Sequence, residues 1–156
     1  TAFSRCTDID DLLPRIPVYP EHERAAKLKA FYSQVLILNW FVPEAENRHN
    51  RYLLTHAVSD LALYGGRLIL AHNRILYPYH KWFTHVLQAA PDKPADLLPH
   101  MDELLAHPCA ATAQAFADCV GGFQDWGVTL GQAVVQFMYD SEWNWRSGGR
   151  PPLADW

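Results

Sequence analysis

A chain of 156 residues, 49% hydrophobic and 19% charged, fits one domain with a real core and excludes a disordered polymer. Its net charge of −4 argues against a broad basic face for nucleic acid. The longest apolar run, VLILNWFV, falls short of the roughly 18 residues of a membrane span.

In chain order, residues 1–20 read as an extended lead-in or linker, with three prolines in LLPRIPVYP. Pro20 followed by Glu21 and Glu23 opens a helix, because proline costs little in a first turn and acids suit the positive end of the dipole. Leu28, Phe31, Tyr32, Val35, Leu36, Leu38 and Trp40 carry that helix to about Val42, and Pro43 is expected to end it. A second, longer helix is expected from about Glu44 to Tyr77, with a kink or close crossing at Gly65-Gly66 and a break at Pro78. Lys81 to Ala90 reads as a short helix, and PDKPADLLPHMDELLAHP as a loop with one or two helical pieces. Further helices are expected from Ala110 to Trp126, with a bend at Gly121-Gly122, and from Thr129 to Trp145. The tail RSGGRPPLADW reads as a loop. Alternating β-branched runs, Asn-Gly turns and internal repeats are all missing. The pattern therefore predicts an all-α protein, an irregular bundle of five or six helices in one domain over residues 21–156.

Cys6, Cys109 and Cys119 show neither CxxC nor Cys/His zinc spacing, so free thiols of a reducing cytoplasm are expected. The start TAFSRCTDID has no secretory layout and no methionine, and reads as a domain cut from a longer protein or a processed one. On the second helix, at about 100° per residue, His49, His56, Asp60, Arg67 and Arg74 fall within roughly 40° of one another amid apolar neighbours. That narrow polar line is either a wet face or a functional strip. It runs into HNRILYPYHKWF at 72–83, where Arg74, Tyr77, Tyr79, Lys81 and Trp82 would hold a phosphate or carboxylate and stack on a flat ligand. Leu76, Trp82 and Phe83 are expected in the core at the bend.

Other chemistries are weaker. Eight histidines come without HExxH, and a pair such as His56 and Asp60 at i, i+4 is common in helices. No G-x-S-x-G supplies a nucleophile, and Cys109 and Cys119 read as core thiols. Asp8 and Asp10 have the spacing of a metal-binding strand pair, but no Gly-Ser turn or third acid accompanies them, and a solvated linker with Asp11 is the better reading. Glu142 and Arg146 suit an ordinary helix ion pair.

RLILAHNRILYPYHKWF resembles the C-terminal helical region of bacterial nucleotidyltransferases of the polymerase-β superfamily, relatives of the aminoglycoside and lincosamide enzymes. The match rests on Arg67, Asn73, Arg74, Tyr77, Pro78, Tyr79, Lys81 and Trp82, and EWNWRSGGRPPLADW looks like the close of the same kind of domain. The resemblance implies a HEPN-like, substrate-side helical domain that forms one wall of the cleft for nucleotide or acceptor. Arg67, Asn73, Arg74, Tyr77, Tyr79, His80 and Lys81 would bind substrate there. The implied partners are an N-terminal catalytic domain of the same protein and a small-molecule substrate, with a homodimer left open. Mg²⁺ and a nucleoside triphosphate would belong to the full-length enzyme, and this chain alone would not be catalytic. Two other readings stand beside it. One is a HEPN-type, metal-independent RNase, using Arg74 with His80 or Arg51 with His56. The other is a helical dimerisation or docking module anchored by exposed aromatic residues.

Overall fold

The computed structural model describes residues 13–15, 18–143 and 146, and every regular element among them is helical. Six α-helices follow in order: α1 (Arg24–Asn47), α2 (Arg51–His72), α3 (Phe83–Ala89), α4 (Leu97–Ala106), α5 (Ala110–Gly121) and α6 (Leu130–Met138). Short 3₁₀ turns lie at Leu13–Arg15, Glu21–Glu23 and His80–Trp82, and a π turn at Tyr139–Trp143. Cys6, Asp8, Asp10, Asp11, Trp145, residues 147–156 and the Glu142 side chain lie outside the described residues.

Pro43 does not end α1. It lies inside the helix, which runs on to Asn47. The proline has no N–H to return to the Asn39 carbonyl, but Val42 and Ala45, both fully buried, pin the chain on either side of it. The break comes instead at Arg48–Asn50. The His49 amide donates to Glu46 O at 3.0 Å and the Asn50 amide to Ala45 O at 2.9 Å, with His49 left-handed at φ 50°. This is a Schellman ending built on histidine instead of glycine. Asn50 then caps α2, its side-chain oxygen accepting from the Leu53 amide at 3.1 Å. The short connection folds α2 back along α1.

The second helix also ends sooner than expected, at His72 and not Tyr77. Its close has the same form: Arg74 N–H donates to Ala71 O, Ile75 N–H to Leu70 O, and Arg74 is left-handed at φ 59°. Arg24 at the start of α1 donates from Nε to Ala71 O and from Nη2 to His72 O, setting a cation on the negative end of α2. Pro78 therefore lies beyond a helix that has already stopped.

Gly65 and Gly66 stay inside α2, where they allow two close crossings. A Cβ on Gly65 would sit 2.5 Å from the Phe116 ring of α5, and one on Gly66 would sit 2.2 Å from the Phe83 ring of α3. Around these contacts Leu61, Leu68, Ile69, Leu87, Leu97, Met101, Leu104 and Phe116 form one core. Phe83 belongs to that core, whereas Trp82 and Leu76 are exposed, contrary to expectation. The helix expected over 110–126 stops at Gly121, and the Trp126 indole N–H folds back onto Val120 O at 3.0 Å. The final helix is α-helical only to Met138. It opens with a capping box, in which Thr129 N–H donates to the Gln132 side chain and Gln132 N–H to the Thr129 hydroxyl.

Candidate functional site: a cation-lined hollow beside residues 75–77

Between the start of α1 and the end of α2, the strap from Ile75 to Tyr77 and the incoming Tyr19 line a hollow of about 220 Å³. Arg67 stands in its wall, 3% exposed, with its guanidinium carbon 4.7 Å from the Phe31 ring centre and 4.6 Å from that of Tyr77. Two faces of aromatic charge hold the cation and fix its plane. Lys27 lines the same hollow, its ammonium 2.9 Å from Glu23 and 6.0 Å from the Tyr19 ring centre. The Tyr19 hydroxyl is buried with no hydrogen-bond partner among the described residues. Burial raises the Tyr19 and Tyr77 phenols above their ordinary range, so both remain neutral donors at physiological pH.

At the rim Arg74 grips Glu21 with both arms of its fork, Nε to Oε2 at 2.8 Å and Nη2 to Oε1 at 3.0 Å. Arg24, Lys27, Arg67 and Arg74 thus surround Tyr19 and the hollow, against the carboxylates of Glu21 and Glu23. The local surplus is positive in a chain whose overall charge is negative.

The remaining residues expected to bind substrate divide between clamps and surface. Asn73 is a clamp. Its Nδ2 donates to Ile69 O at 2.8 Å and Asp92 O at 2.7 Å, and its Oδ1 accepts from the Asp92 amide at 3.0 Å. His72 meets the Asp92 carboxylate at 2.6 Å beside it. Replacing Asn73 with alanine should therefore cost about 2 kcal/mol by chemical denaturation, since the Asp92 amide and carbonyl lose their side-chain partner together, while Ile69 O keeps the backbone N–H of residue 73.

The Tyr77 hydroxyl and His80 Nδ1 are 3.0 Å apart, which ties the strap to the following turn. Tyr79 is 70% exposed and held at φ 67°, ψ 164°, a backbone region almost reserved for glycine. Lys81 lies over the Trp82 ring at 5.4 Å, and both are exposed. The exposed Tyr79 ring lies 6.5 Å from that of Tyr77 and 4.8 Å from that of His80, and Trp82 is exposed two residues further on.

The expected polar line does not survive as one face. His49 and Arg74 lie beyond the two ends of α2, so a common helical phase never places them. His56 pairs with Asp60 at 3.4 Å in the middle of the helix, and burial pushes the Asp60 carboxyl above the usual carboxylate range while His56 and His80 draw it back. Arg67 and Tyr77 alone among the expected site residues line the hollow. Tyr19, Lys27 and Phe31, which complete it, come from the lead-in and α1, and the local sequence around 67–83 carries no sign of them.

Elsewhere, Cys109 sits at the start of α5, where hydrogen bonds from Thr112 lower its thiol, and burial raises Cys119. Arg146 lies over the Trp143 ring at 5.4 Å. Among the described residues no three His, Cys, Asp or Glu side chains gather to hold a metal, and no helix is long and apolar enough to cross a membrane. Compared with protein-family models, with curated proteins and with solved structures, the chain matches none.

Proposed function

We propose that this chain is the HEPN-like, substrate-side helical domain of a cytoplasmic nucleotidyltransferase-like protein, forming one wall of the cleft for nucleotide or acceptor. What supports the reading is Arg67, a buried cation fixed between two rings in the wall of a hollow it shares with Lys27 and Tyr19. These groups suit the oxygens of a phosphate or carboxylate. At about 220 Å³ the hollow is smaller than the roughly 300 Å³ at which drug-sized ligand sites begin, so it takes the anionic head while the body of the ligand lies on Tyr79 and Trp82. Mg²⁺ and the acids that bind it belong, in this reading, to an N-terminal catalytic domain of the same protein. The helical domain orients the charged substrate and excludes water from one side of it.

The test is calorimetric titration of the chain with ATP and, separately, with inorganic pyrophosphate. Arg67→Met and Lys27→Met should each weaken binding by about tenfold or more, as expected for loss of a charge-assisted hydrogen bond. Arg74→Ala and Lys81→Ala should weaken it less, through the rim. Unchanged affinity in all four variants would overturn the site. Metal-independent RNA cleavage that disappears in His80→Ala would replace the reading with the RNase. The geometry favours the first, because Arg74 is committed to Glu21 and His80 to Tyr77.

A further inference from the structure

We propose that the outward face of α6 binds a second copy of this chain, through a twofold crossing centred on Gly131. At about 100° per residue Leu130, Gly131, Val134, Val135, Met138 and Tyr139 occupy the half of α6 turned away from α1, while buried Ala133 faces inward. Leu130 is 63% exposed, Val135 56% and Tyr139 62%. A helix that is apolar on its solvent side as well as its core side is one that something covers.

Four observations favour a copy of the same chain. First, from Gly127 to Tyr139 no residue is charged. A twofold contact sets a patch against itself, so a charge close to the axis would meet its like, and the centre of this patch has none.

Second, the surface is complementary to itself. Val134 and Met138 form a ridge between two hollows, one of about 360 Å³ walled by Trp40 and Phe41, the other of about 240 Å³ walled by Tyr139 and Trp143. The ridge of one copy can drop into a hollow of the other, and the reverse, as helix packing requires.

Third, no contact among the described residues requires glycine at position 131. A Cβ there would meet nothing within 4 Å, yet glycine is a poor helix former. In the first turn of that helix, beside Leu130 and Val135, a missing side chain lets another helix approach closely.

Fourth, Trp40, Leu130, Val134, Val135, Met138, Tyr139 and Trp143 together expose an area on the order of 600 Å², taking each aromatic ring at about 150–250 Å² when whole. That lies at the upper limit for a monomer's largest patch and approaches the roughly 800 Å² per partner of a standard interface. Lys29 lies along the polar margin near Asp140, a pair of opposite charges that a twofold axis can match across the rim.

The test is sedimentation of the whole chain over a concentration series, with circular dichroism to confirm folding. The wild type should associate reversibly to twice the chain mass. Val134→Glu, or Leu130→Lys if the first variant folds poorly, should weaken association by at least about a hundredfold, because it buries an unpaired charge against its own copy. Gly131→Ala should have opposite effects on two readouts: a higher melting temperature for the dilute monomer and an association about tenfold weaker. A wild-type chain that stays monomeric throughout overturns the proposal. So does a folded Val134→Glu or Leu130→Lys variant that still pairs, or a Gly131→Ala variant with unaltered association.

Discussion

Gly66→Ala should lower the stability of the fold by about 2 kcal/mol and the melting temperature by about 4–8 °C, measured by thermal and urea unfolding. The added Cβ would stand 2.2 and 2.9 Å from two atoms of the Phe83 ring and 3.0 Å from a Leu87 methyl. Both side chains are buried, so neither can swing into solvent. Relief requires α3 to move bodily. The better helix propensity of alanine returns about 1 kcal/mol, and the overpacking outweighs it. Gly65→Ala should behave alike against Phe116, at 2.5 and 2.6 Å. Cutting Phe83 back to leucine in the Gly66→Ala background should recover part of the loss, because the two positions touch and their effects do not add. If Gly66→Ala leaves the urea midpoint where it was, the crossing is looser than its geometry.

Arg67→Ala should cost about 3 kcal/mol by urea unfolding, and Arg67→Met about 1 kcal/mol. Alanine empties the space between Phe31 and Tyr77 and removes both cation–ring contacts. Methionine keeps an unbranched apolar filler against the same rings while removing the charge and the guanidinium donors. Comparing the two variants therefore separates packing from charge. If the stability cost is equal in both, the positive charge itself organises this region. If methionine restores the fold while anion binding stays lost, the charge serves the ligand.

The helical class of the fold was legible because hydrophobic spacing survives in every long element. The boundaries were legible only where glycine or proline coincided with the physical stop. Two stops carry no mark in the sequence, His49 and Arg74, since each adopts the left-handed ending that glycine usually signals. One false stop came from Pro43, which the buried Val42 and Ala45 override. The helix ends also decide which polar residues share a face. Once α2 loses its first and last turns, the phase calculation that aligned five polar residues holds only for His56, Asp60 and Arg67. Of these three only Arg67 turns inward, because the Phe31 and Tyr77 rings offer its guanidinium a place between them. Its companions Lys27 and Tyr19 were unreadable. A lysine and a tyrosine near a helix start look like ordinary surface, and only the meeting of α1 with the 75–77 strap makes them one wall.

The packing of α1 has a consequence for how the chain assembles. Its two principal neighbours are α2, which follows it directly, and α6, which begins more than eighty residues beyond its end. The first pairing closes through three residues and carries little loop entropy, so the α1–α2 hairpin is the natural nucleus. The second must wait for α3, α4 and α5 to find their places. During synthesis the groove on α1 that receives Ala133 therefore stands open until the final helix arrives, and that interval is when a growing chain is most vulnerable to mispairing.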